Sequence, residues 1–460
     1  MPKDLQIKTG VQFVPLFFNQ KKRKMIIYKF GGTSVGNADR MKQVASIIGD
    51  EKQKIIVLSA VGGTTNKLVR LTGFFYTQKH DEAVEIIELL RDEYYGIINN
   101  LFSTETYKKQ ATLFIDGILE LLSAQEGEQF NEKNEKIILA QGEIMSTNLF
   151  HFYLLETGAS ATLIPALDYM RIDTDGEPDT TEISRLLNPL LDKASDKHLI
   201  VTQGYICRNV QGEIDNLKRG GSDYSATLVG QAMNAEEVQI WTDIDGMHNN
   251  DPRIVENTYP VDYLSFDEAA ELAYFGAKIL HPASVLPARE AEIPVRLKNT
   301  FDPAAFGTLI SANSAPDKVK AIAAKDGIIA INIISGRMLL AFGFLRRVFE
   351  VFEKHRTSID MITTSEVAVT LTIDHTNNLQ ELTDELNTLG TVMVEDNMSI
   401  VAVVGNGAGG SSKVLSKITA ALNGYSVRMV SFGGSQNNIS LLVPTANKIA
   451  VLKSLNTHIF

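Results

Sequence analysis

Cysteine is nearly absent from this chain of 460 residues. Its single thiol, Cys207, cannot form an intramolecular disulfide, and Cys-rich zinc and iron–sulfur sites are excluded with it. That usage fits a reducing cytosol, so a cytoplasmic location is expected. The eight histidines include no His-Glu-x-x-His pattern, so no metal held by side chains of one helix is expected. No apolar run approaches the roughly 18 residues that a membrane span needs. Positive charge is in deficit: 44 Lys and Arg stand against 55 Asp and Glu, a net −11. No global basic field is therefore available to attract nucleic acid or anionic membranes. The Gly-x-x-x-x-Gly-Lys-Ser/Thr loop of the common NTPases is also missing.

What remains is an ordinary globular balance, 44% hydrophobic and 22% charged. The length predicts about three domains at roughly 150 residues each. Residues 1–24 read as a flexible extension. Their apolar stretch is broken by Gln12 and Pro15 and precedes the cluster Lys21-Lys22-Arg23-Lys24, the reverse of a secretory signal. From Met25 to about residue 311, short apolar runs alternate with helical stretches. Strands are expected at 25–30, 55–60, 137–139, 161–164, 199–204 and 238–241, with helices at 37–49, 81–101, 108–125 and 143–156. Such alternation implies a mainly parallel sheet covered on both faces, an α/β/α architecture with ligands outside the carboxyl ends of the strands.

A linker is expected at 312–318. Beyond it the pattern predicts eight strands and four helices in two β-α-β-β-α-β units of ferredoxin-like type. The expected strands are 319–324, 328–333, 358–362, 367–373, 391–395, 399–404, 426–431 and 439–443. The second unit lacks a final strand and the spare one lies in front. The first unit, 326–396, is thus expected to be embedded in a second made of 319–325 plus 397–460.

Five motifs carry the chemistry, most of them at a strand end. Lys29-Phe30-Gly31-Gly32-Thr33-Ser34 offers paired glycines for close backbone approach to a phosphate and a lysine for its charge. Ser59-Ala60-Val61-Gly62-Gly63-Thr64-Thr65 reads either as anion recognition at a helix start or as plain N-capping. Arg219-Gly220-Gly221-Ser222-Asp223 combines a bidentate cation with two glycines and is harder to explain as turn chemistry alone. Trp241-Thr242-Asp243-Ile244-Asp245-Gly246, followed by Asp251-Pro252-Arg253, is a nucleotide loop or an Asp-Gly turn. Lys278, in Phe275-Gly276-Ala277-Lys278, is a phosphate contact or a surface lysine. A sixth pattern, Gly405-Asn406-Gly407-Ala408-Gly409-Gly410, fits the dinucleotide fingerprint but lacks the ribose-binding acid about twenty residues on.

In this order the motifs resemble those of the aspartate kinases of the amino-acid kinase family, over roughly 95% of the chain. Residues 25–311 are similar to the catalytic domain of that family, and the remainder to its paired ACT modules, closest to the monofunctional lysine-inhibited class. The resemblance implies transfer of the ATP γ-phosphoryl group, with Mg²⁺, to the β-carboxylate of L-aspartate. It implies catalytic roles for Lys29 and for Asp223, which would orient Lys29. Lys29, Gly31, Gly32, Thr242, Asp243, His248, Arg253 and Lys278 would hold ATP, although His248 stands where the family often has tyrosine. Ser59, Thr65, Glu143, Arg219 and Ser222 would hold aspartate, with Glu143 on its ammonium and Arg219 on its α-carboxylate. Met338, Phe344, Leu345, Ile359, Asp360, Ser365 and Glu366 would bind an inhibitory amino acid, expected to be lysine, while Leu340 and Ala341 replace polar residues of that class. A homodimer through the ACT modules, or a tetramer, is implied. Another amino-acid kinase of the same fold and a non-catalytic amino-acid sensor are the competing readings.

Overall fold

A computed structural model describes residues 25–460 except 51, 126–128, 218–219, 277–279, 313–317, 337, 339–341 and 376–377. The extension 1–24, most of the linker, Arg219, Lys278, Leu340 and Ala341 therefore lie outside the described residues. No described helix is long and apolar enough to cross a membrane.

The catalytic half contains β1 (Ile26–Phe30), β2 (Lys54–Leu58), β3 (Ala161–Leu163), β4 (Leu199–Gln203), a small hairpin of β5 (Ile206–Arg208) and β6 (Ile214–Asn216), β7 (Glu237–Thr242), β8 (Tyr263–Ser265), β9 (Val295–Asn299) and β10 (Thr308–Ser311). Eight of these form one sheet in the order β3-β4-β2-β1-β7-β9-β10-β8. Every pairing in it is parallel except β9 with β10. The central strands are buried along their length, as a sheet covered on both faces requires: all five residues of β2 and of β4 are buried. One face packs with helices Ala38–Ile48, Thr64–Tyr76, His80–Leu101, Glu105–Ala124 and Glu132–Glu156. The other packs with Thr180–Lys193, Gly221–Met233 and Phe266–Tyr274.

One expected strand is corrected. Residues 137–139 lie inside the helix Glu132–Glu156, which begins at an Asn131 capping box. Its apolar run Ile137-Ile138-Leu139 looked like a strand, but the helix is covered on several sides, so its hydrophobicity shows little helical periodicity.

The regulatory half forms one six-stranded sheet, in which two four-stranded halves share two long strands. Its strands are β11 (Val319–Ile334), β12 (Ile362–Thr364), β13 (Ala368–Ile373), β14 (Thr391–Gly405), β15 (Met429–Ser431) and β16 (Asn438–Pro444), in the order β12-β13-β11-β14-β16-β15. The eight expected strands become six because 319–324 and 328–333 are parts of β11, and 391–395 and 399–404 are parts of β14. The join in β11 is an irregularity around Asp326-Gly327, where the ladder to β14 shifts register and Gly327 has a φ of +76°. Before this point β11 pairs with residues 400–405, and after it with β13 and residues 391–398. The strand expected at 358–362 begins later, at Ile362, because Asp360 and Met361 instead bond to Thr372 through their N–H groups.

Helices Phe344–Lys354 and Leu379–Leu386 cover the first half of this sheet. Ser412–Ala421 and Lys448–Ile459 cover the second. The opposite face, through Ala321, Ala323, Ala402 and Val404, shares a core with Leu272 and Phe275 of the catalytic half. The loop after β7 is also tied across: the Asn249 carbonyl accepts from the Ile322 N–H at 2.8 Å, and Val255 is buried among Val319, Ile322 and Leu452.

Candidate active site

Strands β4, β2, β1 and β7 are neighbours and parallel, so their carboxyl ends open at one edge. There the ladder continues into the loops: the Ser59 N–H donates to the Phe30 carbonyl at 3.2 Å, and Gly204 N–H to Leu58 at 2.9 Å. The glycines at this edge are sterically necessary. A Cβ on Gly32 would lie 2.8 Å from the Ala60 carbonyl oxygen, and one on Gly204 would lie 2.4 Å from the Ser222 hydroxyl. The first and second motifs are therefore pressed backbone to backbone, and Ser222 is held against β4.

Lys29 is carried on β1 and is only 9% exposed. Its Nζ lies 2.6 Å from Oδ1 of Asp223, in the first turn of helix Gly221–Met233. Gly220 and Gly221 enter that helix with φ of +65° and +48°, a left-handed path that favours glycine. Ser59 Oγ donates to Ser222 Oγ at 2.9 Å. Glu143 approaches from helix Glu132–Glu156 and is 4% exposed. Its Oε1 accepts from the Ala60 N–H at 3.2 Å, while Oε2 has no hydrogen-bond partner among the described residues. Burial pushes the Glu143 carboxyl up to about 7, against the opposing pull of the Ala60 N–H and the positive charge of Lys29.

The structure thus brings Lys29, Gly31, Gly32, Ser59, Glu143, Ser222 and Asp223 to one edge, with Thr65 exposed in the first turn of its helix beside them. Thr242 and Asp243 follow β7 at the same edge, where Gly31 N–H donates to the Trp241 carbonyl. His248 and Arg253 sit further along that loop and are engaged locally. His248 lies 2.6 Å from Asp245 and 3.0 Å from Thr258, and the guanidinium of the exposed Arg253 makes two hydrogen bonds to Asp251. Among the described residues no group of three or more His, Cys, Asp or Glu side chains is placed to hold a metal ion.

Sequence reasoning missed Ser146, whose hydroxyl donates to the Ser59 carbonyl at 2.7 Å, and Tyr205, whose N–H donates to Ser225 Oγ at 2.8 Å with φ at +65°. Neither lies in a glycine-rich motif, although Tyr205 follows the Gly204 that ends an expected strand.

The effector positions divide into two groups. Met338, Phe344, Leu345 and Ile359 pack in the first regulatory core, and Asp360 precedes β12. Ser365 and Glu366 form the exposed turn after β12. Five residue steps of extended chain separate Asp360 from Ser365, about 16 Å. One chain does not bring them together.

Comparison with known proteins places this arrangement. Residues 24–299 match the amino acid kinase family, and residues 401–459 match the ACT domain. The lysine-sensitive aspartokinase 3 of Escherichia coli is 34% identical over 450 residues, covering 95% of this chain and 99% of its own length. The chloroplastic aspartokinase 2 of Arabidopsis thaliana is 34% identical over 467 residues, covering 95% and 85%. The crystal structure of E. coli aspartokinase III with aspartate and ADP, described as its R-state, superposes with a TM-score of 0.79 over 95% of this chain and all of that one, at 34% identity. The T-state structure of the same enzyme, with lysine and aspartate, gives 0.78 at 33% identity over the same shares. The mainly parallel kinase sheet and the ACT-type regulatory region agree with these matches, and the chain belongs to the amino acid kinase family and, within it, to the aspartokinases.

Proposed function

We propose that this chain transfers the γ-phosphoryl group of ATP to the β-carboxylate of L-aspartate, giving 4-phospho-L-aspartate, the first step toward lysine, threonine and methionine. The acceptor needs no general base, because a carboxylate with an ordinary pKa of about 3.9 is ionised at neutral pH. The obstacle is repulsion between two anions, roughly 4 kcal/mol for unit charges about 4 Å apart at an effective dielectric near 20. Lys29, fixed by Asp223, supplies the opposing charge, and the Gly31-Gly32 turn beside it lets the phosphate approach the backbone closely. Mg²⁺ arrives with the nucleotide as MgATP. Thr242, Asp243, His248, Arg253 and Lys278 take the nucleotide. Ser59, Thr65 and Ser222 line the acceptor pocket, Arg219 takes the α-carboxylate, and the unpartnered Oε2 of Glu143 takes the ammonium. The observation that carries this reading is the 2.6 Å Lys29–Asp223 pair beside that buried carboxylate.

The regulatory half divides into modules 326–396 and 319–325 plus 397–460, and binds an inhibitory amino acid, lysine by the relative's name. Edge strand β12 is exposed along its whole length. Antiparallel pairing of two such edges would set Ser365 and Glu366 of one chain toward Asp360 of the other, which supports a homodimer built through this sheet, itself able to pair into a tetramer. A cytoplasmic location follows from the cysteine usage.

A coupled assay of ADP release with aspartate and MgATP tests the activity, repeated with lysine, threonine and methionine. No aspartate-dependent release would refute it, and glutamate used in preference to aspartate would favour another amino-acid kinase.

A further inference from the structure

Asp360 is more than a regulatory-sheet residue: it is also one of the points where the catalytic half touches that sheet. Its Oδ1 accepts from the phenol of Tyr274, the last residue of helix Phe266–Tyr274, in a short contact. Lys325, at the irregular join of β11, places its Nζ 3.3 Å from the same oxygen and 2.9 Å from Asp374. The Lys325 ammonium also lies over the Tyr274 ring, 4.3 Å from its centre. The Asp360 side chain is 1% exposed, and its Oδ2 has no hydrogen-bond partner among the described residues. A carboxylate accepts about four hydrogen bonds, so capacity remains, but no ligand reaches it while Tyr274 and Lys325 close over it.

We propose that Tyr274 and Lys325 are resident competitors for the effector site, occupying Asp360 when the amino acid is absent and yielding it when the ammonium of the amino acid binds. The inference rests on the reading of Asp360 as an effector anchor and names how that site is regulated. Lys325 presents the same chemical group as the ligand, so two ammonium groups compete for one buried carboxylate. Tyr274 ties the competition to the catalytic half. Tyr274 closes the helix Phe266–Tyr274, which packs in the core shared by the two halves, so release of the phenol frees the end of a catalytic-half helix. Contacts made only in the empty state oppose ligand binding by their own free energy.

The full-length enzyme is titrated with L-lysine by calorimetry and by inhibition of ADP release, for the wild type, Tyr274→Phe, Lys325→Met and Lys325→Arg, with Tm recorded for each. Tyr274→Phe and Lys325→Met are expected to bind lysine about ten- to a hundredfold more tightly, the worth of one charge-assisted hydrogen bond, and to be inhibited at correspondingly lower concentration. Lys325→Arg retains the competing charge and is expected to stay near wild type. Unchanged affinity in Tyr274→Phe and Lys325→Met, with Tm alone lowered, assigns the two residues a merely structural part and overturns the inference. Weaker inhibition by lysine in Tyr274→Phe overturns it too, because the phenol would then belong to the bound state. A wild type that binds neither lysine, threonine nor methionine defeats the effector reading itself, and the inference with it.

Discussion

Glu143 gives a prediction whose size can be worked from its surroundings. The carboxyl is 4% exposed and accepts from the Ala60 N–H, but burial outweighs that bond and lifts it from an ordinary 4.5 to about 7. At about 1.4 kcal/mol per pH unit this difference is worth about 3 kcal/mol. Between pH 4.5 and 7 the folded chain retains a proton that the unfolded chain has released. Stability therefore falls as pH rises through that window and remains lower above it. Glu143→Gln removes the buried charge. It should raise Tm by several degrees at pH 8, and the gain should vanish near pH 5. Activity runs the opposite way. Only ionised Glu143 attracts the aspartate ammonium, so kcat/KM for aspartate should drop about tenfold per pH unit below 7. The kcat should hold to lower pH, because the bound ammonium favours the charged form. In Glu143→Gln that slope should disappear and KM should rise. Initial rates across pH 5.5–8.5, about a unit and a half to either side of the transition, give the answer. A wild-type kcat/KM that is flat across this range, or a slope that survives in Glu143→Gln, would refute the reasoning.

Two further predictions follow from the same geometry. Lys29→Met removes the buried cation paired with Asp223 at the edge where the anions meet, so kcat should fall about a hundred- to a thousandfold, while circular dichroism and Tm report an intact fold; a kcat near wild type in a folded variant would remove Lys29 from the reaction. The loop carrying Thr242, Asp243 and Arg253 is anchored to the regulatory half through Asn249 and Val255, whereas Lys29, Glu143 and Asp223 are rooted in the kinase sheet and its helices. An inhibitory amino acid should thus raise KM for ATP more than KM for aspartate, and the reverse pattern in steady-state kinetics would contradict that anchoring.

The site was readable in the sequence where steric necessity and chemistry coincide. Gly32, Gly62 and Gly220 leave little or no room for a Cβ, and Lys29, Ser59, Ser222 and Asp223 each lie within a few residues of one of them. Tyr274 was not readable as a regulatory contact. Its partner Asp360 is 86 residues away, and an aromatic residue at a helix end looks like core packing. Ser146 was hidden for a related reason: it lies on a helix covered on several sides, whose sequence carries no periodic signal to show which face meets the site.

The regulatory sheet shows why counting strands and locating them are separate problems. Alternation of apolar residues identifies extended segments, but it cannot say whether two of them separated by Asp326-Gly327 turn back or run on. A positive φ at Gly327 is compatible with either a hairpin or a bulge. The long partner β14 decides in favour of a bulge, because residues 391–405 form a second continuous strand against which both parts of β11 pair. Two strands crossing the whole sheet join the modules through the backbone, so the end near β12 is continuous with the end that holds the loop after β7. Lys325 stands at the join between the two parts of β11, and there its ammonium reaches both Asp360 and Asp374. A separate pair of four-stranded modules would have left that coupling to side chains alone. In this chain the backbone of β11 and β14 carries it.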